Sequence, residues 1–149
     1  MNKKYKNISE IKNMSVSLLS EGKTIRIKAH GYSMYPTIKP GTVILIEPVR
    51  KKGPPGVGEI VAIKKEKGII VHRIVKVISE EGVRKYIARG DSNSRPDLPV
   101  TADVIIGRVT GVEGFPTLPE NFKKKPHYFQ NRLNVIWLQI CNKFRHLSE

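Results

Sequence analysis

Cysteine is almost missing from this chain: Cys141 stands alone among 149 residues. A single thiol closes no internal disulfide, so nothing points to an oxidising compartment. Long apolar runs are missing as well. Val135-Ile136-Trp137-Leu138 is cut short by Gln139 and falls far below the ~20 residues that cross a bilayer. Met1 to Lys6 reads like the basic start of a signal peptide, yet Asn7 to Asn13 is polar and charged where an apolar run is required. The expectation is a cytoplasmic protein, with a peripheral place at a membrane left open. Metal-ligand spacing is missing from the four histidines, His30, His72, His127 and His146, so neither a metal nor a cofactor is expected. Acidic side chains are scarce, 13 against 27 Lys and Arg, a formal +14. Such a surface draws anionic partners, nucleic acid or an acidic membrane face, and is silent about fold.

What is present fits one turn-rich domain with a core and short appendages. Ile11, Met14 and Leu18 recur at helical spacing, which predicts a helix over residues 8–20 with Asn7 and Glu10 as a capping box and Gly22 at the exit. The pattern then changes to period two. Strands are predicted at 24–29, 42–46, 59–64, 69–78, 83–88 and 104–112, with turns at Lys67-Gly68 and Glu81-Gly82. Strands without alternating helices predict a mainly β fold, a compact antiparallel domain with short helices at either end. The chain divides into an N-terminal helical segment at 1–22, a β domain at 23–113, and a basic linker with an amphipathic helix at 114–149.

In that last segment Pro116, Pro119 and Lys123-Lys124-Lys125 mark the linker. Phe129, Leu133, Ile136 (or Trp137), Ile140, Phe144 and Leu147 then share a helical face, away from Arg132, Lys143 and Arg145. Such a helix either caps the sheet with that face or lies on a membrane or partner, which its basic, Trp-bearing composition also suits.

Ser33 follows Gly31 at the end of a predicted strand. A serine hydroxyl is a poor nucleophile without a base for its proton and donors for an oxyanion. A tight turn at Gly31 would present it, although a serine beside a glycine is most often turn chemistry alone. The surroundings of Ser33 carry more. Gly31-Tyr32-Ser33-Met34-Tyr35-Pro36, with Pro40-Gly41 and a strand beyond, resembles the nucleophile box of type I signal peptidases and of the self-cleaving repressor domains related to them. Gly58 to Ile63 and Val71-His72-Arg73-Ile74-Val75 match the next box, with histidine where one branch of that superfamily carries lysine. Gly90-Asp91-Ser92-Asn93, with Asp97 beyond, resembles the third box of the histidine branch, and Asp103 to Val109 the closing strand. The resemblance covers residues 24–112, in order.

It implies a serine endopeptidase acting on an extended peptide: a leader, a propeptide or a segment of the chain itself. Ser33 would attack the scissile carbonyl, and His72 would take its proton and pass it to the leaving amine. Asp97 would orient the imidazole, and Asp91 would hold the Gly90 to Asn93 turn, with the two roles open to exchange. Gly31 stands where many signal peptidases have a serine, so the oxyanion would rest on backbone N–H groups of Ser33 and Tyr32. Tyr32, Met34 and Tyr35 are the expected substrate-pocket walls. The polar 8–20 segment stands where signal peptidases carry a transmembrane anchor, which predicts a processing peptidase without one. Lys64, Lys65 and Lys67 read as solvated hairpin charge; Lys76, on the face of His72 at period two, is the remaining lysine alternative. The other function class is a non-catalytic or repressor-like regulatory module on the same fold, binding peptide or nucleic acid. Nucleic acid is not the expected partner, because roughly 23 residues ahead of the first strand cannot hold a helix-turn-helix.

Overall fold

The computed structural model describes residues 3–115 and 118–145, with the side chains of 8–115, 118–120, 122–143 and 145. The side chains of Asn7 and Phe144, and Pro116, His146 and Leu147 altogether, lie outside them. Within them run α1 (Lys3–Ser20), β1 (Ile25–Lys28), β2 (Val43–Pro48), β3 (Ile60–Lys65), β4 (Gly68–Glu80), β5 (Val83–Arg89), β6 (Val100–Thr101), β7 (Ile105–Val112) and α2 (Tyr128–Arg145). The strands form one mainly antiparallel seven-stranded sheet in the order β1-β2-β7-β3-β4-β5-β6. No helix among the described residues is long and apolar enough to cross a membrane.

β3 shows how one sheet encloses two cores. Ile60 and Ala62 point to a core shared with Leu19, Ile44, Ile46 and Val109, while Val61 and Ile63 point to a second with Ile74, Tyr86 and Ile105. Apolar residues at four consecutive positions therefore mark a strand covered on both faces, not a helix. The register shifts between Leu45 and Ile46, Ala62 and Ile63, and Ile74 and Lys76. Extra residues of this kind bend and twist a strand, which lets the sheet fold over.

The third shift corrects one expectation. Ile74 lies opposite Ala88, but Lys76 lies opposite Ile87. Val75 is thus the extra residue, and Lys76 falls on the face away from His72, exposed to solvent. The hairpin between β3 and β4 turns at Glu66-Lys67, with Gly68 already paired to Lys65, one residue earlier than the sequence pattern indicates.

α1 starts earlier than expected, and α2 settles a placement that the sequence left open. α1 begins at Lys3, so Asn7 lies inside it and not at its cap; Lys3-Lys4-Tyr5-Lys6 carries no helix breaker. Its exit is as predicted: Gly22, at φ 86°, donates to the Leu19 carbonyl while Lys23 donates to Leu18. α1 rests on the body through Ser15 and Leu19, leaving Ile11 and Met14 exposed. α2 docks through Asn131 and Val135, while the apolar face with Phe129, Leu133, Ile136 and Ile140 is turned outward, so of the two placements left open it does not cap the sheet.

Ile46 is the most telling core position, wholly buried where β2 meets β7. Ile46→Ala is expected to lower the free energy of unfolding by about 2–5 kcal/mol in urea titration, with an unchanged denaturant slope.

Candidate active site

Three segments meet at the rim of the folded sheet: the turn-rich stretch 30–41 between β1 and β2, the middle of β4, and the loop 90–99 after β5. The first is led by Gly31 at φ 78°, a left-handed conformation that a side chain would strain. Met34 and Ile38 anchor it by packing into the core with Ile44 and Ile60. Ser33, between Gly31 and Met34, is partly exposed.

The loop after β5 clamps this segment. Ser92 donates its backbone N–H to the Ser33 carbonyl at 2.9 Å and its hydroxyl to the Tyr32 carbonyl at 2.5 Å. Thr37 Oγ1 donates to Asp91 Oδ2 at 2.6 Å. Gly90 approaches so closely that an added Cβ would stand 2.6 Å from the Ser33 carbonyl oxygen, a contact that any larger residue would force apart.

β4 supplies His72 and Arg73, which alternate across the strand. His72 is buried, and its Nδ1 lies 2.6 Å from Asp97 Oδ2. Asp97 is itself held by its backbone N–H on the Ala88 carbonyl at 2.7 Å. Arg73 turns to Asp91: Nε donates to Oδ1 at 2.9 Å and Nη2 to Oδ2 at 2.7 Å, with both side chains buried. Its Nη1 donates to the carbonyls of Gly58 at 3.0 Å and Phe122 at 2.5 Å. The two acids therefore have separate contacts: Asp97 touches the histidine, and Asp91 ties the arginine to the Ser33 segment.

Ser33 and His72 line one cavity of about 220 Å³, walled by apolar side chains that include Met34, Ile38 and Val71. Of the three expected pocket walls only Met34 is there. Tyr32 and Tyr35 lie outside it with ring centroids 6.4 Å apart, and the Tyr32 hydroxyl meets Asn142 of α2 at 3.3 Å. The reason is local: Met34 takes the inward position of the turn, which carries its neighbours to the outside. His30 is exposed at the cavity edge. Among the described residues no group of three or more His, Cys, Asp or Glu is placed to hold a metal.

Arg73 has no task in the sequence analysis and a central one in the structure. Its signal was available, since a strand arginine beside an inward histidine faces the opposite way and needs an acid. Asn131 had no such signal; it donates to the Asp91 backbone carbonyl at 2.9 Å from a helix nearly forty residues away. Tyr128 and Arg89 were likewise unassigned, and the guanidinium lies 3.7 Å from the ring centroid. Partial burial, and after it the Asp91 charge, push the Tyr128 phenol up from its ordinary pKa.

The two acids predict different losses. Asp91→Ala strands the buried Arg73 guanidinium and is expected to cost about 3–5 kcal/mol of stability. Asp97→Ala, at a partly exposed position, is expected to cost about 1 kcal/mol or less. Urea denaturation of both variants checks the contrast.

No curated protein matches the chain. A family model described as Peptidase S24-like matches residues 2–110, a span that takes in α1, the whole sheet except the last residues of β7, and all three segments of the site. With a match that spans well over half of its length, the chain belongs to the Peptidase S24-like family.

Proposed function

We propose that this chain is a serine endopeptidase in which Ser33 is the nucleophile, His72 the general base and Asp97 the residue that orients the imidazole. The observation that carries the reading is the shared cavity: Ser33 and His72 open onto it together, and Asp97 holds His72 Nδ1 at 2.6 Å. A ring held through Nδ1 keeps its other nitrogen for the serine.

In this mechanism Nε2 of His72 accepts the Ser33 proton as Oγ adds to the scissile carbonyl. The proton then passes to the leaving amine, and an acyl-enzyme remains. Water, deprotonated by the same imidazole, hydrolyses the ester and regenerates Ser33. Asp97 stabilises the transient imidazolium without taking its proton. Backbone N–H groups of Ser33 and Tyr32 receive the oxyanion, and the tight left-handed turn at Gly31 supports that placement. Asp91 acts at a distance, by keeping the Ser33 segment on β4.

The substrate is an extended peptide. β1 ends the sheet, and Lys28, His30 and Ile69 line both the Ser33 cavity and a neighbouring groove of about 640 Å³ between α1 and β1. A strand added along that edge would satisfy main-chain hydrogen bonds and deliver its scissile bond to Ser33. The small apolar cavity favours a small side chain beside that bond.

Cleavage of an extended-peptide library, read by mass spectrometry, tests this. Ser33→Ala and His72→Ala are expected to lower cleavage by about 10³-fold or more, and Asp97→Asn to lower kcat with little change in KM. Cleavage by wild type that survives in Ser33→Ala would refute the assignment.

A further inference from the structure

α2 presents its faces the wrong way round for a helix that only completes a core. The seam against the body holds Tyr128, Asn131, Val135 and Asn142, and three of these four bind through polar groups or a ring. Val135 is 2 % exposed, the one fully buried apolar side chain of that seam. On the other side Phe129 is 79 % and Trp137 66 % exposed, and Leu133, Ile136 and Ile140 are exposed between them. At about 100° per residue this second set fills an arc of roughly 100°, centred opposite the seam. A contiguous apolar face turned to solvent marks a surface that something covers.

Charge identifies the class of partner. From residue 121 to 145 the chain carries Lys123, Lys124, Lys125, Arg132, Lys143 and Arg145 and no acid. Arg132 and Lys143 flank one side of the apolar arc by the same helical geometry. An apolar stripe bordered by cations, with a tryptophan in it, complements the boundary between anionic headgroups and acyl chains.

We propose that α2 lies in the plane of an anionic lipid surface, its Phe129-to-Ile140 face in the acyl boundary and its basic residues among the headgroups. The seam stays on the protein, so the surface would be linked directly to Asp91 and Tyr32, the residues α2 holds at 2.9 and 3.3 Å. The proposal stands whether or not Ser33 is a nucleophile.

Trp137 is the sole tryptophan, so selectively excited tryptophan fluorescence reads this face alone. The full chain is titrated with phosphatidylcholine vesicles containing phosphatidylglycerol and with phosphatidylcholine alone. The expected result is a blue shift of Trp137 emission, with binding roughly tenfold or more tighter to the anionic vesicles and lost at high salt. Leu133→Gln with Ile136→Gln and Ile140→Gln should abolish binding while keeping the far-UV circular dichroism of the wild type. Lys123→Gln with Lys124→Gln and Lys125→Gln, which leaves the helix untouched, should weaken binding even if the first variant folds poorly. An absent shift with anionic vesicles overturns the proposal and assigns the face to a protein partner. A shift that follows protein concentration without lipid assigns it to a second copy. Equal binding to neutral vesicles overturns the anionic assignment.

Discussion

The paired guanidinium and carboxylate of Arg73 and Asp91 are the constraint on which the site depends. Both are withdrawn from water, and two charges in that position are tolerated only when their hydrogen-bonding capacity is filled. Here it is filled from four directions. Arg73 reaches Asp91 through two nitrogens and the Gly58 and Phe122 carbonyls through a third, and Thr37 adds a bond to the same carboxylate. Strand β4, the turn before β3, the serine segment, the loop after β5 and the start of the C-terminal region thus meet at one ion pair. Such a pair adds little net stability over an apolar replacement; what it does is specify one arrangement, because any slip leaves a charge unmatched.

Specifying that arrangement also places His72 and Asp97. His72 and Arg73 are neighbours on one strand with opposite orientations, so fixing the arginine fixes the imidazole. Asp91 and Asp97 lie on one loop, so anchoring the first sets the reach of the second. The separation of tasks follows: a fully buried acid holds position, and a partly exposed acid touches the ring.

Much of the fold was legible because its strands follow simple rules. Period-two alternation located β1, apolar runs located β2 and β3 behind their Gly- and Pro-bearing turns, and Glu81-Gly82 turns into β5 where its dipeptide says it should. Other features depend on contacts that no local pattern carries. β6 is two residues long and exists by pairing with Lys85 and Tyr86. The extra residue Val75 reverses the face of Lys76, and nothing around it distinguishes a bulge from an unbroken strand. Ser33, His72, Asp91 and Asp97 were legible as a set through the resemblance of their boxes. The outward displacement of Tyr32 and Tyr35 was not, since it depends on Met34 taking the core. The amphipathic pattern of α2 was legible and left its direction open, because the seam is held by Asn131, Asn142 and an arginine over a tyrosine ring, contacts invisible to hydrophobic periodicity.

The central claim is that His72, held by Asp97, makes Ser33 an unusually reactive serine. The most direct test is labelling of the full chain with a fluorophosphonate, followed by digestion and mass mapping of the adduct. The account predicts one adduct, on Ser33, in the wild type and its loss in His72→Ala. An adduct on a different residue, or equal labelling of Ser33 without His72, would contradict it.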